Sequence, residues 1–242
     1  MIRDEDEYRS ARYVMTRIRG VLFDFDGTLA ELHINFDHMR RQVADLASLF
    51  IGKDVQSPGV PVLEWIDELA RKMDSELPQE EVLEFQSRCR LRLVGLEMKA
   101  AQKGKLFPYS RGVLAGLREM GVKTAVVTRN CTAAVKTVYP QILQEVDCLL
   151  ARDDVRRVKP DPEHLNAAAT RLDLHRTECL MVGDHWLDIV AAQKAGMRSA
   201  AVHTGNVHAA DLAACGPDFI APEVLSLVQE LGRSGLLVAG WN

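Results

Sequence analysis

The chain has 242 residues, 30 Lys and Arg against 34 Asp and Glu, a net charge of −4, and a composition that is 47% hydrophobic and 26% charged. That balance describes an ordinary globular protein able to bury a sizeable core without staples, and it excludes a global basic field for nucleic acid; Arg152 and Arg156-Arg157 read as solvated faces. Five scattered cysteines (Cys89, Cys131, Cys148, Cys179, Cys215) form no CxxC pair, which argues against a disulfide framework and a thiolate zinc site.

Residues 1–17 mix Asp4, Glu5, Asp6 and Glu7 with arginines and lack an apolar stretch. They are expected to form a frayed or partly helical tail, neither signal peptide nor membrane anchor, which points to a cytoplasmic protein. Ile18 to Phe25 reads as an apolar strand stopped by Gly27. From about Glu31 to Lys105 no convincing strand occurs. Three amphipathic helices fit instead, over Phe36–Phe50, Val62–Met73 and Gln79–Ala101, punctuated by Ser57-Pro58-Gly59 and Leu77-Pro78. Beyond them, strands are predicted over Lys123–Val127, Cys148–Leu150, Cys179–Val182 and Ser199–Val202. Helices are predicted over Arg111–Met120, stopped by Gly121, over Pro162–Leu172 with Asp161 as N-cap, and over Trp186–Ala195, stopped by Gly196. Near-continuous apolar strands alternating with helices imply an α/β fold with an open parallel sheet covered on both faces.

Four polar clusters follow the apolar strands, and ligands of open α/β sheets bind outside the carboxyl ends of strands. In Asp24-Phe25-Asp26-Gly27-Thr28 two carboxylates stand two residues apart and leave the strand on one side. One can act as nucleophile and metal ligand, the other as general acid and base, although an Asp- and Gly-rich turn is the plainer reading. Thr128 and the amides of Arg129-Asn130-Cys131 make an anion-binding corner, where a helix N-cap is the commoner use of such a threonine. Lys159-Pro160-Asp161-Pro162 offers a cation on a stiff loop, able to neutralise a phosphate and a nucleophile's charge. In Gly183-Asp184-His185-Trp186-Leu187-Asp188 the carboxylates Asp184 and Asp188 can face one way at a helix start, which suits Mg²⁺ and its oxygen ligands. His185 without partners makes no zinc site.

In order and spacing the quartet resembles the haloacid dehalogenase-like hydrolase superfamily: DxDGT at Asp24–Thr28, Thr128, Lys159 in KPDP, and GDxxxD at Gly183–Asp188. The resemblance spans Ile18 to Val202 and implies a Rossmann-like core, residues 18–30 and 105–242, with residues 31–104 inserted as an all-helical cap, as in phosphoglycolate phosphatase-like members. It further implies Mg²⁺ held by Asp24, Asp26 through its backbone carbonyl, Asp184 and Asp188, with Thr128 and Lys159 on the substrate phosphate. Arg129, a mild departure from the family pattern, adds a cation beside the site that can contact the substrate phosphate, and a solvated arginine is an equal reading. Asp24 would be the nucleophile and Asp26 the acid–base, giving hydrolysis of a small phosphorylated metabolite through an aspartyl-phosphate. Asp26 favours phosphate esters over carbon–halogen bonds. A phosphosugar mutase shares these motifs, and a phospho-accepting receiver domain shares some but leaves Asp184 and Asp188 unexplained. No nucleic-acid or membrane partner is expected, and monomer or dimer stays open.

Overall fold

The computed structural model describes residues 17–237, so the expected N-terminal tail lies, but for Arg17, outside the described residues. The chain divides into two compact units, one comprising the stretches up to Leu32 and from Gly104 onward, the other His33–Lys103.

The first unit is built on a six-stranded sheet. Its strands are β1 (Gly20–Phe23), β4 (Lys123–Val127), β5 (Cys148–Leu150), β6 (Cys179–Gly183), β7 (Arg198–Val202) and β8 (Phe219–Ala221), in the order β5-β4-β1-β6-β7-β8 and parallel throughout. Numbered among themselves, these strands run 3-2-1-4-5-6, the doubly wound Rossmann order, whose direction of winding reverses between β1 and β6. Strands β1, β6 and β7 are buried along their whole length, as the unbroken apolar sequences of β1 and β6 require, and β7 buries Arg198 and Ser199 with its apolar end. Between and after them run α4 (Ser110–Glu119), α5 (Thr132–Val138), α6 (Ile142–Glu145), α7 (Glu163–Leu172), α8 (Trp186–Ala195), α9 (Ala209–Ala214) and α10 (Val224–Arg233). One core cluster joins Leu22, Val127, Leu150 and Met181 of the sheet to Leu165, Ala168 and Leu172 of α7 and Ala191 and Ala192 of α8.

The second unit holds α1 (Phe36–Ile51), α2 (Val62–Met73) and α3 (Gln79–Ala101). They share a core of Met39, Val43, Trp65, Ile66, Leu69, Val82, Phe85, Cys89 and Leu93. Asn35 caps α1 by accepting the His38 N–H (2.8 Å), and Arg40 pairs with Asp37 on the same helix (2.5 Å).

Several expectations need correction. The first strand is shorter than Ile18–Phe25, because Ile18 bridges Leu237 and the chain turns after Phe23. The segment expected to lack strands is flanked by a two-residue ribbon, β2 (Ala30–Glu31) antiparallel to β3 (Lys105–Leu106). Helix α7 begins at Glu163 with Pro162 in the cap position, although the Asp161 carboxylate does accept the Glu163 N–H (2.9 Å).

Candidate active site

The β1–β6 reversal brings two motif loops side by side. Asp24 follows β1, and its N–H donates to the Val182 carbonyl of β6 (2.9 Å), which places it beside Asp184. Carboxylate oxygens of Asp24, Asp184 and Asp188 lie within 4.8 Å of one another. Lys159 Nζ reaches into this group, 2.8 Å from Asp24 Oδ1 and 2.6 Å from Asp188 Oδ1. The Lys159 and Asp188 side chains are 1% and 2% exposed, whereas Asp24 keeps 14%. That difference decides which carboxylate of the pair can meet a substrate.

Local bonds orient the acids. Asp188 Oδ2 accepts the His185 N–H (3.1 Å) and so closes a capping box at the start of α8, while His185 Nδ1 accepts the Leu187 N–H (3.2 Å). Thr28 Oγ1 donates to Asp184 Oδ1 (3.2 Å). Glycines close the walls: a Cβ on Gly27, at φ +81°, would stand 2.3 Å from Asp184 Oδ2, and one on Gly205 only 1.7 Å from the same atom. The loop after β7 is tied in by Thr204, whose Oγ1 donates to the Gly27 carbonyl (2.5 Å).

The electrostatics follow from crowding. Burial and the neighbouring Asp24, Asp188 and Asp26 carry the Asp184 carboxyl well above the usual range, against the bond from Thr28. Asp24 is raised too, by burial and by Asp188, with Lys159 acting in opposition. Burial works against the Lys159 charge, but Asp188 and Asp24 outweigh it, so the ammonium is held above its ordinary value. Burial pulls His185 down to about 4.

Asp26 stands just outside the three-carboxylate group, and its Oδ1 accepts the Leu32 N–H (2.8 Å). Thr128 follows β4. Its N–H donates to the Leu150 carbonyl (3.0 Å), and its Oγ1 accepts the Asn130 N–H (3.2 Å). It is not the N-cap of α5, a position held by Cys131. The Asn130 amide is buried, and its Nδ2 has no partner among the described residues, the state of a donor that an anion would satisfy. Arg129 Nη1 donates to the Lys159 carbonyl, and Arg152 Nη1 donates to the Arg129 carbonyl (3.1 Å).

Three participants escaped sequence reasoning. His164, wholly buried, meets the Lys159 N–H and the Leu150 carbonyl. Thr204 and Gly205 come from a loop far along the chain from Gly27 and Thr28, which meet Asp184 after β1. For Thr204 and Gly205 the one available signal was placement just after the parallel strand β7.

A haloacid dehalogenase-like hydrolase family profile matches residues 18–196, a stretch that contains all four clusters. The chain belongs to this family. Among its relatives, Pyrophosphatase PpaX of Bacillus cereus is 35% identical over 123 residues, 49% of this chain and 57% of that protein. The chain therefore spans little more than half the length of that relative. A plasmid-encoded phosphoglycolate phosphatase of Cupriavidus necator is 29% identical over 219 residues, 86% of this chain and 90% of the relative. In fold, the chain is similar to a crystal structure described as a predicted phosphoglycolate phosphatase from Haemophilus somnus, with a TM-score of 0.60 and 21% identity over 89% of this chain and 99% of that one. Mg²⁺ dependence is general to the family. Among the described residues no helix is long and apolar enough to cross a membrane.

Proposed function

We propose that this hydrolase is a phosphatase for a small phosphorylated metabolite, working through an aspartyl-phosphate on Asp24. The observation that carries the proposal is the Asp24 carboxylate itself. It is the exposed member of a buried ion-paired group, at the sheet's topological switch point, with a lysine ammonium 2.8 Å away. Attack by an Asp24 oxygen on phosphorus forms the O–P bond as the bond to the alcohol oxygen breaks. Asp26 gives its proton to the departing alkoxide, then takes a proton from the water that attacks phosphorus and releases Asp24. Lys159 neutralises charge on the transferring oxygens, with the Thr128 hydroxyl and Arg129 completing the phosphate subsite, and little more than such positioning is needed for phosphoryl transfer.

The carboxylate group fits a divalent cation. The buried acids Asp184 and Asp188 converge with the partly exposed Asp24, the proton affinity of Asp184 is raised by burial and by its acidic neighbours, and glycines leave room around its oxygens. We assign Mg²⁺ to Asp24, Asp184, the Asp26 carbonyl and Asp188. Bound there, it would neutralise charge on the phosphoryl oxygens. Residues 31–104 are assigned the part of the substrate-selecting cap, and the cytoplasm is the proposed compartment. The names of the relatives make 2-phosphoglycolate the first substrate to try.

A phosphate-release screen over phosphorylated metabolites, with Mg²⁺ and with EDTA, tests this reading. Turnover that survives EDTA or Asp24→Asn contradicts it. Isomerisation of β-glucose 1-phosphate without release of phosphate would make the protein a mutase.

A further inference from the structure

We propose that His164 is a positioning residue for Lys159, pinning the main chain of the lysine loop to the end of β5 so that Nζ stands between Asp24 and Asp188. The consequence for catalysis rests on the phosphatase reading; the pinning does not.

His164 lies in the first turn of α7, and no part of it is exposed. Its Nε2 is 3.1 Å from the Leu150 carbonyl. A carbonyl only accepts, so Nε2 carries the ring proton. Nδ1 is then an acceptor, and it faces the Lys159 N–H at 3.4 Å. The two contacts agree on one neutral tautomer. Burial and the nearby Lys159 charge pull the ring's pKa down to about 3, in keeping with that form. A buried imidazole that only filled space would leave two polar nitrogens desolvated, and an apolar side chain would serve better.

The Leu150 carbonyl is a shared anchor. It accepts the Thr128 N–H (3.0 Å) as well as His164 Nε2. One residue thus registers Thr128 directly and Lys159 through the imidazole ring. The other main-chain polar group of Lys159, its carbonyl, accepts from Arg129 Nη1. Lys159 lies in no helix or strand, so side chains do the work that a backbone ladder does elsewhere. A lysine head on a four-carbon stem can be placed within a few tenths of an ångström only if its root is fixed.

The test is acylation of lysine amines by acetic anhydride on the full chain, read by peptide mass spectrometry. In the unsubstituted protein Lys159 resists labelling relative to the exposed Lys72. His164→Leu removes both ring contacts and should speed Lys159 labelling about tenfold relative to Lys72, the effect of losing one buried hydrogen bond on a local opening equilibrium. His164→Asn places an amide oxygen near the Nδ1 position, so it should keep Lys159 protected. His164→Gln places its amide near Nε2 instead and should not. Leu165→Ala, a core truncation at the next position of α7, should lower the Tm and leave Lys159 protected. Protection persisting in His164→Leu, or labelling in Leu165→Ala to the same extent, overturns the proposal. Should the leucine variant fail to fold, the Asn and Gln variants decide, and labelling of Asn rather than Gln overturns it. Turnover is measured separately. A chain that shows this labelling pattern and hydrolyses no phosphate ester refutes the phosphatase reading alone.

Discussion

Replacing Lys159 with methionine keeps an unbranched stem one atom shorter and removes the ammonium shared by Asp24 and Asp188. Breaking a buried ion pair by deleting one partner costs about 3–5 kcal/mol. Here the cost has a ceiling, since a stranded carboxylate can take up a proton instead. At pH 7 that escape costs about 4 kcal/mol per carboxyl, from 1.36 kcal/mol per pH unit and an ordinary pKa of about 3.9; at pH 5 it costs about 1.5 kcal/mol. Lysine with a raised folded pKa contributes stability that is complete below its unfolded pKa, about 10.4, and is lost only as pH rises through the folded value. Between pH 5 and 7 it is therefore charged in both folded and unfolded states. The pH dependence of the difference comes from Asp24, whose raised folded pKa makes stability fall as pH rises past its unfolded value. Urea unfolding in EDTA, followed by circular dichroism, should show Lys159→Met less stable by about 3–4 kcal/mol at pH 7 and by about half that at pH 5. Phosphate release should fall by about a thousandfold or more. A deficit that is the same at both pH values, or below about 1 kcal/mol at pH 7, would show that Lys159, Asp24 and Asp188 are not the ion-paired group described.

Gly205→Ala should weaken Mg²⁺ binding by about tenfold or more, since a Cβ 1.7 Å from Asp184 Oδ2 must displace a ligand; isothermal titration calorimetry measures it. Mg²⁺ affinity should rise with pH, because Asp184 is held protonated above the usual carboxylate range and the cation must displace that proton. Calorimetry in buffers of different ionisation enthalpy reads the protons released, and a pH-independent affinity with none released would contradict the assignment. Asp26→Ala should lose turnover on alkyl phosphates while giving a burst of about one equivalent of nitrophenolate from p-nitrophenyl phosphate, whose leaving group needs no acid. Stopped-flow absorbance detects the burst.

The parts of this molecule that could be read from its sequence are those whose signal is local. Val62–Met73, Gln79–Ala101, Trp186–Ala195, Lys123–Val127 and Cys148–Leu150 occur with the bounds their periodicity and stop residues predict. Asp24 was legible because a carboxylate breaks an apolar strand, and Asp184 because it stands after Gly183 at another strand's end. The ribbon of β2 and β3 was not, since two residues carry no period and Ala30 pairs with Leu106 across the whole helical insert. The strand β8 was not either: it is as short as β5 but, unlike β5, lies partly exposed. His164 reads as one more residue on a helix. Its part depends on Leu150 and Lys159 arriving at either side of the ring, which only the folded sheet arranges. Gly205 likewise acquires its constraint from Asp184, on a different loop.

The measurement closest to the central claim is acid-quenched turnover of the Asp26→Ala protein on p-nitrophenyl phosphate, with peptide mapping by mass spectrometry. The account predicts a peptide carrying one phosphoryl group on Asp24, absent from Asp24→Asn. Nitrophenolate release with Asp24 unmodified, or with the phosphoryl group on another residue, would contradict it.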